Sequence, residues 1–262
     1  MASSASLKKS ARALLADEKG TLFGGGPFRA VMLYPSPYRV GMSSLGYQIL
    51  YREVHERPRW SAERAFLPDD PEEYHKSRTP LFTLESQSPV SGADVVGVSL
   101  AYELELPGLL ECLTLARVPL RAADRGPRDP LVVIGGPLTF SNPIPAAPFA
   151  DVIVMGEGEA LIHRVLDEYE DADDRERLLS TLSRVPGCYV PSVHGERLLP
   201  VVAADNARLP GFGQIVTPHT ELGNMHLVEA ERGCHRKCTF CVMRRSTNGG
   251  MRLAGPVCCC GS

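Results

Sequence analysis

Three stretches of this chain, Ala30-Val31-Met32-Leu33-Tyr34, Val95-Val96-Gly97-Val98-Ser99-Leu100 and Leu131-Val132-Val133-Ile134-Gly135, are apolar at almost every position. A strand with one face in water alternates apolar and polar residues. A strand that is apolar throughout has to be covered on both faces, as in a parallel sheet held between two layers of helices. A fourth short run, Val152 to Met155, and helical patterns over Ser43 to Glu56, Glu103 to Ala116 and Glu159 to Glu170 complete an alternation of strand and helix. That alternation predicts an α/β doubly wound parallel sheet over residues 28–172. The 262 residues suit two parts of unequal size. Residues 1–27 read as a charged, helical leader set off by Gly24-Gly25-Gly26-Pro27.

In such a sheet a ligand sits beyond the carboxyl ends of the strands. The loops expected there are Pro35 to Gly46, Ser99 to Glu103, Gly135-Gly136-Pro137 and Gly156-Glu157-Gly158-Glu159. Glycine at a strand end lets backbone approach a large ligand, and a helix starting there offers free N–H groups. Taken singly, each loop is also what a tight turn requires. The candidate contacts are Tyr38, Gly41, Ser43, Ser99, Tyr102, Gly135, Gly136, Gly156 and Gly158. His55 and His75 lie outside these loops and read as solvent-exposed.

The eight cysteines do not form a disulfide framework, because Cys112 and Cys188 stand alone and the rest crowd near the end of the chain. Cys234, Cys238 and Cys241 are spaced Cys-x3-Cys-x2-Cys, with Phe240 before the last. Three thiolates suit iron–sulfur or zinc, and a four-iron cluster held by three of them keeps one iron open to a small molecule. The zinc alternative would take His235 or one of Cys258, Cys259 and Cys260 as fourth ligand. Arg236, Lys237, Arg244 and Arg245 either place positive charge on this loop that lowers thiol pKa values or form a solvated basic turn.

The run Arg232 to Cys241 resembles the signature of radical S-adenosylmethionine (SAM) enzymes. The resemblance implies a 4Fe-4S cluster on Cys234, Cys238 and Cys241 whose open iron chelates SAM. It further implies reductive cleavage to a 5'-deoxyadenosyl radical, with methyl transfer as one outcome, and an electron donor of the flavodoxin or ferredoxin type. Gly41 to Gly46, Ala62-Glu63-Arg64, Pro80 to Ser86, Ser99 to Glu105, Gly135-Gly136-Pro137 and Gly156 to Glu159 are similar to the cobalamin-binding domain that precedes the radical SAM domain in one branch. The likeness runs over roughly residues 20–251 and implies a flavodoxin-like sheet. It also implies cobalamin with its lower face against Ser99, Tyr102 or Tyr38, since the loop after the first strand carries no histidine for cobalt. Met225 to Glu231 is then the first strand of a partial (β/α) barrel whose cluster loop follows directly. Residues 173–224 connect the two parts and read first as a packing extension between them, with a hairpin around His194-Gly195 as the other reading. Residues 225–262 hold only the start of a radical SAM domain, so a fragment ending soon after the motif is expected. The last residues, 254–262, are either a native tail or the product of a shifted reading frame.

A formal charge of −3 leaves no basic surplus for a bulk grip on nucleic acid. No apolar run approaches the roughly 20 residues that span a bilayer, and Met1 to Lys19 lacks an apolar signal core, so a cytoplasmic protein is expected. A non-catalytic corrinoid-binding module and a zinc-binding interaction protein stand as alternative functions. The substrate is not legible.

Overall fold

The computed structural model describes residues 3–236, 238–241 and 250–254. Lys237, Arg244, Arg245 and Cys258 to Cys260, which carried parts of the reading above, lie outside the described residues. The strands are β1 (Phe28–Tyr34), β2 (Trp60–Phe66), β3 (Val95–Ser99), β4 (Leu131–Gly135), β5 (Val152–Val154), β6 (Cys188–Tyr189), β7 (Glu231–Gly233) and β8 (Met251–Leu253). The helices are α1 (Ser4–Ala16), α2 (Tyr38–Gly41), α3 (Leu45–His55), α4 (Pro71–Ser77), α5 (Leu106–Ala116), α6 (Leu138–Ser141), α7 (Gly158–Asp171), α8 (Arg175–Leu182) and α9 (Pro191–His194). One sheet runs β2-β1-β3-β4-β5-β6, parallel except for β6, and β7 pairs antiparallel with β8. The order 2-1-3-4-5 is that of a flavodoxin-like doubly wound sheet, and its direction of winding reverses between β1 and β3.

Alternation along the strands feeds two cores. Ala30, Met32, Tyr34, Val95, Leu131, Val133, Val152 and Val154 face one core with Tyr47, Tyr51 and Val54 of α3 and Leu161, Val165 and Leu166 of α7. Val31, Leu33, Val96, Val98, Val132, Ile134 and Ile153 face the other with Leu109, Cys112, Leu113 and Ala116 of α5. Burial on both faces is why these strands contain almost no polar residue.

The apolar runs did not single out β2, because Glu63 and Arg64 sit in its middle. Both are explained by the sheet edge. Arg64 is fully buried, with Nη1 and Nη2 on the carboxylate of Glu18 at 2.8 and 2.7 Å and Nε on Glu85 at 2.7 Å. The Leu84 amide donates to the Arg64 carbonyl at 2.7 Å, and Glu85 accepts from the Arg64 amide at 2.7 Å, so the segment carrying Glu85 covers the open side of β2. Glu63 accepts from Arg29 of β1 at 3.2 Å and from the Thr83 hydroxyl of the same covering segment at 2.8 Å. Glu18 comes from the leader, whose Ala11, Leu14, Leu15 and Leu22 pack on the first core, while the hydroxyl of Tyr51 donates to the Leu22 carbonyl. The leader, expected to be set off by the glycine run, packs on the first core.

Four other expectations change. The sheet continues past residue 172, because α8 buries Leu178 and Leu182 in the first core and β6 extends the edge. The hairpin around His194-Gly195 is instead the short helix α9. It is held by His194, whose Nδ1 accepts from the Val190 amide at 3.0 Å and whose Nε2 lies 3.1 Å from the Ser183 carbonyl. The strand expected over Met225 to Glu231 begins only at Glu231, since within 225–230 the ladder contact is a single bridge from Val228 to Phe212. His55 is half-buried against the Tyr51 ring at 4.7 Å with its Nε2 unpartnered, and burial pushes its pKa down; His75 lies on the surface beside Glu111 at 2.6 Å.

Candidate functional site

A cleft of about 330 Å³ opens at the carboxyl ends of the parallel strands, over the face that carries the first core. Its floor is Met32, Gly97, Val98, Ser99, Val133, Gly135 and Val154, and its walls are the first turns of α3 (Leu45, Gly46, Ile49, Leu50) and of α7 (Gly158, Glu159, Ile162). Gly136, Pro137 and Phe140 close one side, and Glu157, Glu229 and Arg232 another. Glycine is what keeps this space open. A Cβ on Gly97 would stand 3.3 Å from the Met32 sulfur, a neighbour on the floor. Gly136 is fixed for a second reason: its φ is +101° and a Cβ would lie 2.6 Å from the Leu100 carbonyl oxygen.

Of the sequence candidates, the fold brings Ser99, Gly135, Gly136, Gly156 and Gly158 to this cleft. Tyr38, Gly41, Ser43 and Tyr102 are not among its lining residues. Tyr38 is turned into the protein, donating to Glu18 at 2.7 Å, and a Cβ on Gly41 would meet the Phe66 ring and the Tyr34 Cβ. The Ser43 hydroxyl donates to the Arg39 carbonyl and accepts from the Glu221 amide at 3.0 Å, while the Tyr102 side chain is largely exposed. Sequence reasoning passed over Glu157, Glu159 and Arg232 as site residues. The two acids of the Gly-Glu-Gly-Glu loop were the available signal, since charged side chains at a strand end need either a ligand or a counter-charge.

That counter-charge is Arg232. Its Nε and Nη2 donate to the two oxygens of Glu229 at 2.8 and 2.6 Å, Nη2 also meets Glu159 at 2.6 Å, and Nη1 reaches Glu157 at 3.1 Å. Arg252 of β8 pairs with the other oxygen of Glu157. Burial works against the Arg232 charge, but its carboxylate hydrogen bonds, Glu229 first, hold its pKa well above the ordinary value. Arg232 lies two residues before Cys234. Cys234, Cys238 and Cys241 are half-buried free thiols, the Arg236 amide points to the Cys234 sulfur at 3.4 Å, and the Cys241 amide donates to the Cys238 carbonyl at 3.3 Å. Among the described residues, the group with three ligand atoms within 4.8 Å of one another is Glu53, Glu56 and His163, and the cysteine trio is not so drawn together. Arg208 already occupies that acidic group, at 2.5 Å from Glu53 and 3.5 Å from Glu56.

Where the winding reverses, Glu105 joins the loops after β1 and β3. It is buried, accepting from the Ala101 amide at 2.6 Å and the Ser36 hydroxyl at 3.2 Å. Burial raises its pKa, and these donors hold the rise back; the neighbouring Tyr34 is pushed up to about 12 by burial and by Glu105. A carboxyl whose folded pKa is raised binds its proton more tightly in the folded state. Its contribution to stability is full below the unfolded pKa and is lost as pH rises through the folded one. Wild type is therefore expected to lose stability relative to Glu105→Gln as pH climbs above the ordinary carboxylate range of about 4. Urea unfolding of both proteins from pH 4 to 8 checks this, and a difference that does not vary with pH would refute it.

The segment that carries the three cysteines thus meets the rim of the cleft through Arg232. The chain belongs to the radical SAM proteins: the family's sequence profile, described as "Radical SAM proteins, N-terminal", matches residues 46–191. An uncharacterized protein of Methanocaldococcus jannaschii is 21% identical over 216 residues, which are 81% of this chain and 40% of that protein. Among solved structures, the chain is similar to TsrM of Kitasatospora setae, a radical SAM methyltransferase determined with tryptophan substrate and the SAM analog aza-SAM bound. The TM-score is 0.50 at 14% identity, over 87% of this chain and 43% of TsrM, a likeness of fold. The chain thus spans less than half the length of either relative. Among the described residues, no helix is long and apolar enough to cross a membrane.

Proposed function

We propose that this chain is the amino-terminal part of a radical SAM enzyme. Cys234, Cys238 and Cys241 would hold a 4Fe-4S cluster and the cleft would take a corrinoid such as cobalamin. The observation that carries the reading is that Arg232 lines the cleft and stands two residues before the first cysteine of the trio. A cluster loop and a cofactor cleft on one rim suit chemistry shared between two cofactors. The donor set fits the cluster: three free thiols on one loop, with a backbone amide directed at one sulfur. The glycine floor of Gly97 and Gly135 fits a flat ligand, and the wall of α3 is apolar through Leu45 and Ile49. Ser99, Gly135 and Gly136 would hold a corrinoid here.

The bound cluster would supply one electron to SAM for homolytic cleavage, with methyl transfer as one outcome. The chain's own residues position: the cysteines ligate, Arg232 and Glu229 fix the loop, and the apolar walls limit water. A one-electron donor of the flavodoxin or ferredoxin type is the proposed partner. Anaerobic reconstitution tests the reading. Iron and acid-labile sulfide should be present together at about four each per chain, and Cys238→Ser should lose both. Zinc without sulfide in the native protein, or a cluster that survives Cys238→Ser, would overturn it. Addition of hydroxocobalamin should shift the cobalamin absorption spectrum, and an unchanged spectrum would remove the corrinoid from the proposal.

A further inference from the structure

The guanidinium of Arg232 is surrounded by three carboxylates that belong to different parts of the chain. Glu157 and Glu159 come from the cleft loop and the first turn of α7, and Glu229 from the segment before β7. All four side chains are largely buried, so each charge depends on the others for compensation. The planar fork of arginine offers five N–H donors in fixed directions for these four contacts, whereas a lysine ammonium has only three. The Glu157 backbone is itself fixed, its amide donating to the Val202 carbonyl at 3.0 Å while its carboxylate accepts from the Ala204 amide at 2.7 Å. The Glu229 amide donates to the Gly211 carbonyl at 2.8 Å. The loop that would touch a ligand in the cleft and the loop that carries the cysteines are therefore held by one residue.

We propose that Arg232 is a positioning residue that couples occupancy of the cleft to the geometry of the cysteine loop. The coupling rests on the functional reading above, but the clasp does not. A ligand that moves Gly156 to Glu159 moves two of the three carboxylates, and the guanidinium passes that displacement to Gly233 and Cys234. By linkage, a cluster on the cysteines must then alter affinity in the cleft by the same factor that the cleft ligand alters cluster stability.

The experiment compares wild type, Arg232→Met and Arg232→Lys. Hydroxocobalamin is titrated into each with and without the reconstituted cluster, and amide hydrogen exchange is followed over 156–159 and 231–234. In wild type the cluster is expected to change hydroxocobalamin affinity about fivefold or more. That ratio should fall to one in Arg232→Met and recover only in part in Arg232→Lys, and exchange should quicken in both segments of Arg232→Met while β1 and β3 stay protected. Should Arg232→Met fail to fold, Glu159→Gln carries the same comparison, since it removes one carboxylate and leaves Arg232 paired with Glu157 and Glu229. An affinity ratio that is the same in the variants as in wild type, or exchange unchanged in both segments, overturns the proposal. A wild-type chain that takes up neither iron with sulfide nor hydroxocobalamin overturns the functional reading instead, and the exchange comparison still decides whether Arg232 clasps the two loops.

Discussion

Arg64→Met is expected to destabilise the fold by roughly 3–5 kcal/mol, the cost of leaving buried charge without its partner. Glu18 and Arg64 have fully buried side chains and Glu85 is nearly so. Beyond the two carboxylates, the guanidinium lies over the Tyr51 ring at 4.9 Å and near the Met42 sulfur at 3.3 Å, and Tyr38 donates to Glu18. Burial opposes the charge on Arg64, but Glu85 and Glu18 outweigh it and keep its pKa well above the ordinary value. Burial also drives the Glu85 pKa up, held back by Arg64. Without the arginine Glu85 would sit buried without its counter-charge, so the variant should be least unstable where Glu85 takes up a proton. Urea unfolding should show the deficit shrinking as pH falls from about 7 toward the ordinary carboxylate range of about 4, and Glu85→Gln placed in Arg64→Met should recover part of it at neutral pH. A deficit under about 1 kcal/mol at neutral pH would mean that the triad is not the anchor of the β2 edge that its geometry makes it.

Gly156→Ala is expected to be the most damaging single change in the cleft. Gly156 has φ +137°, where an L side chain is strained, and a Cβ there would collide with the Val202 carbonyl. The strain costs roughly 1–3 kcal/mol, and forced overlap adds roughly 1–3 kcal/mol. Val202 bridges Gly156, its amide donating to the Met155 carbonyl at 2.9 Å, and two residues on the Ala204 amide holds Glu157. Displacing 202–204 should loosen Glu157 and, through it, Arg232. Thermal melting and hydrogen exchange of 202–204 check this. Gly46→Ala serves as the contrast, because its Cβ meets nothing within 4 Å and the position lies in the first turn of α3. It should leave stability unchanged or raise it by about 0.5–1 kcal/mol. Equal stability of Gly156→Ala and wild type would contradict the close approach of the two backbones.

Much of the architecture is legible along the chain because it depends on local pattern. Val31, Val96 and Val132 alternate with Ala30, Val95 and Leu131 into two cores, and no solvent-facing side remains to admit polar residues. That is why β1, β3 and β4 can be read directly, and why α3, α5 and α7 follow from helical spacing. β2 cannot be read that way. Its Arg64 is an interior residue only because Glu18 and Glu85, distant along the chain, converge on it. The same applies to α9, where a side chain of His194 closes the turn, and to His55, whose ring packs on Tyr51.

For the site, the spacing of Cys234, Cys238 and Cys241 and the glycines at 135, 136, 156 and 158 are properties of the sequence alone, since ligand count and backbone freedom are local. The placement of Tyr38 inward toward Glu18, the open floor over Gly97, and the gathering of Glu157, Glu159 and Glu229 around Arg232 were decided only by tertiary structure. Charge pairs of this kind form between segments that the fold brings together, and a pattern along one chain carries no record of which distant carboxylate will meet which arginine.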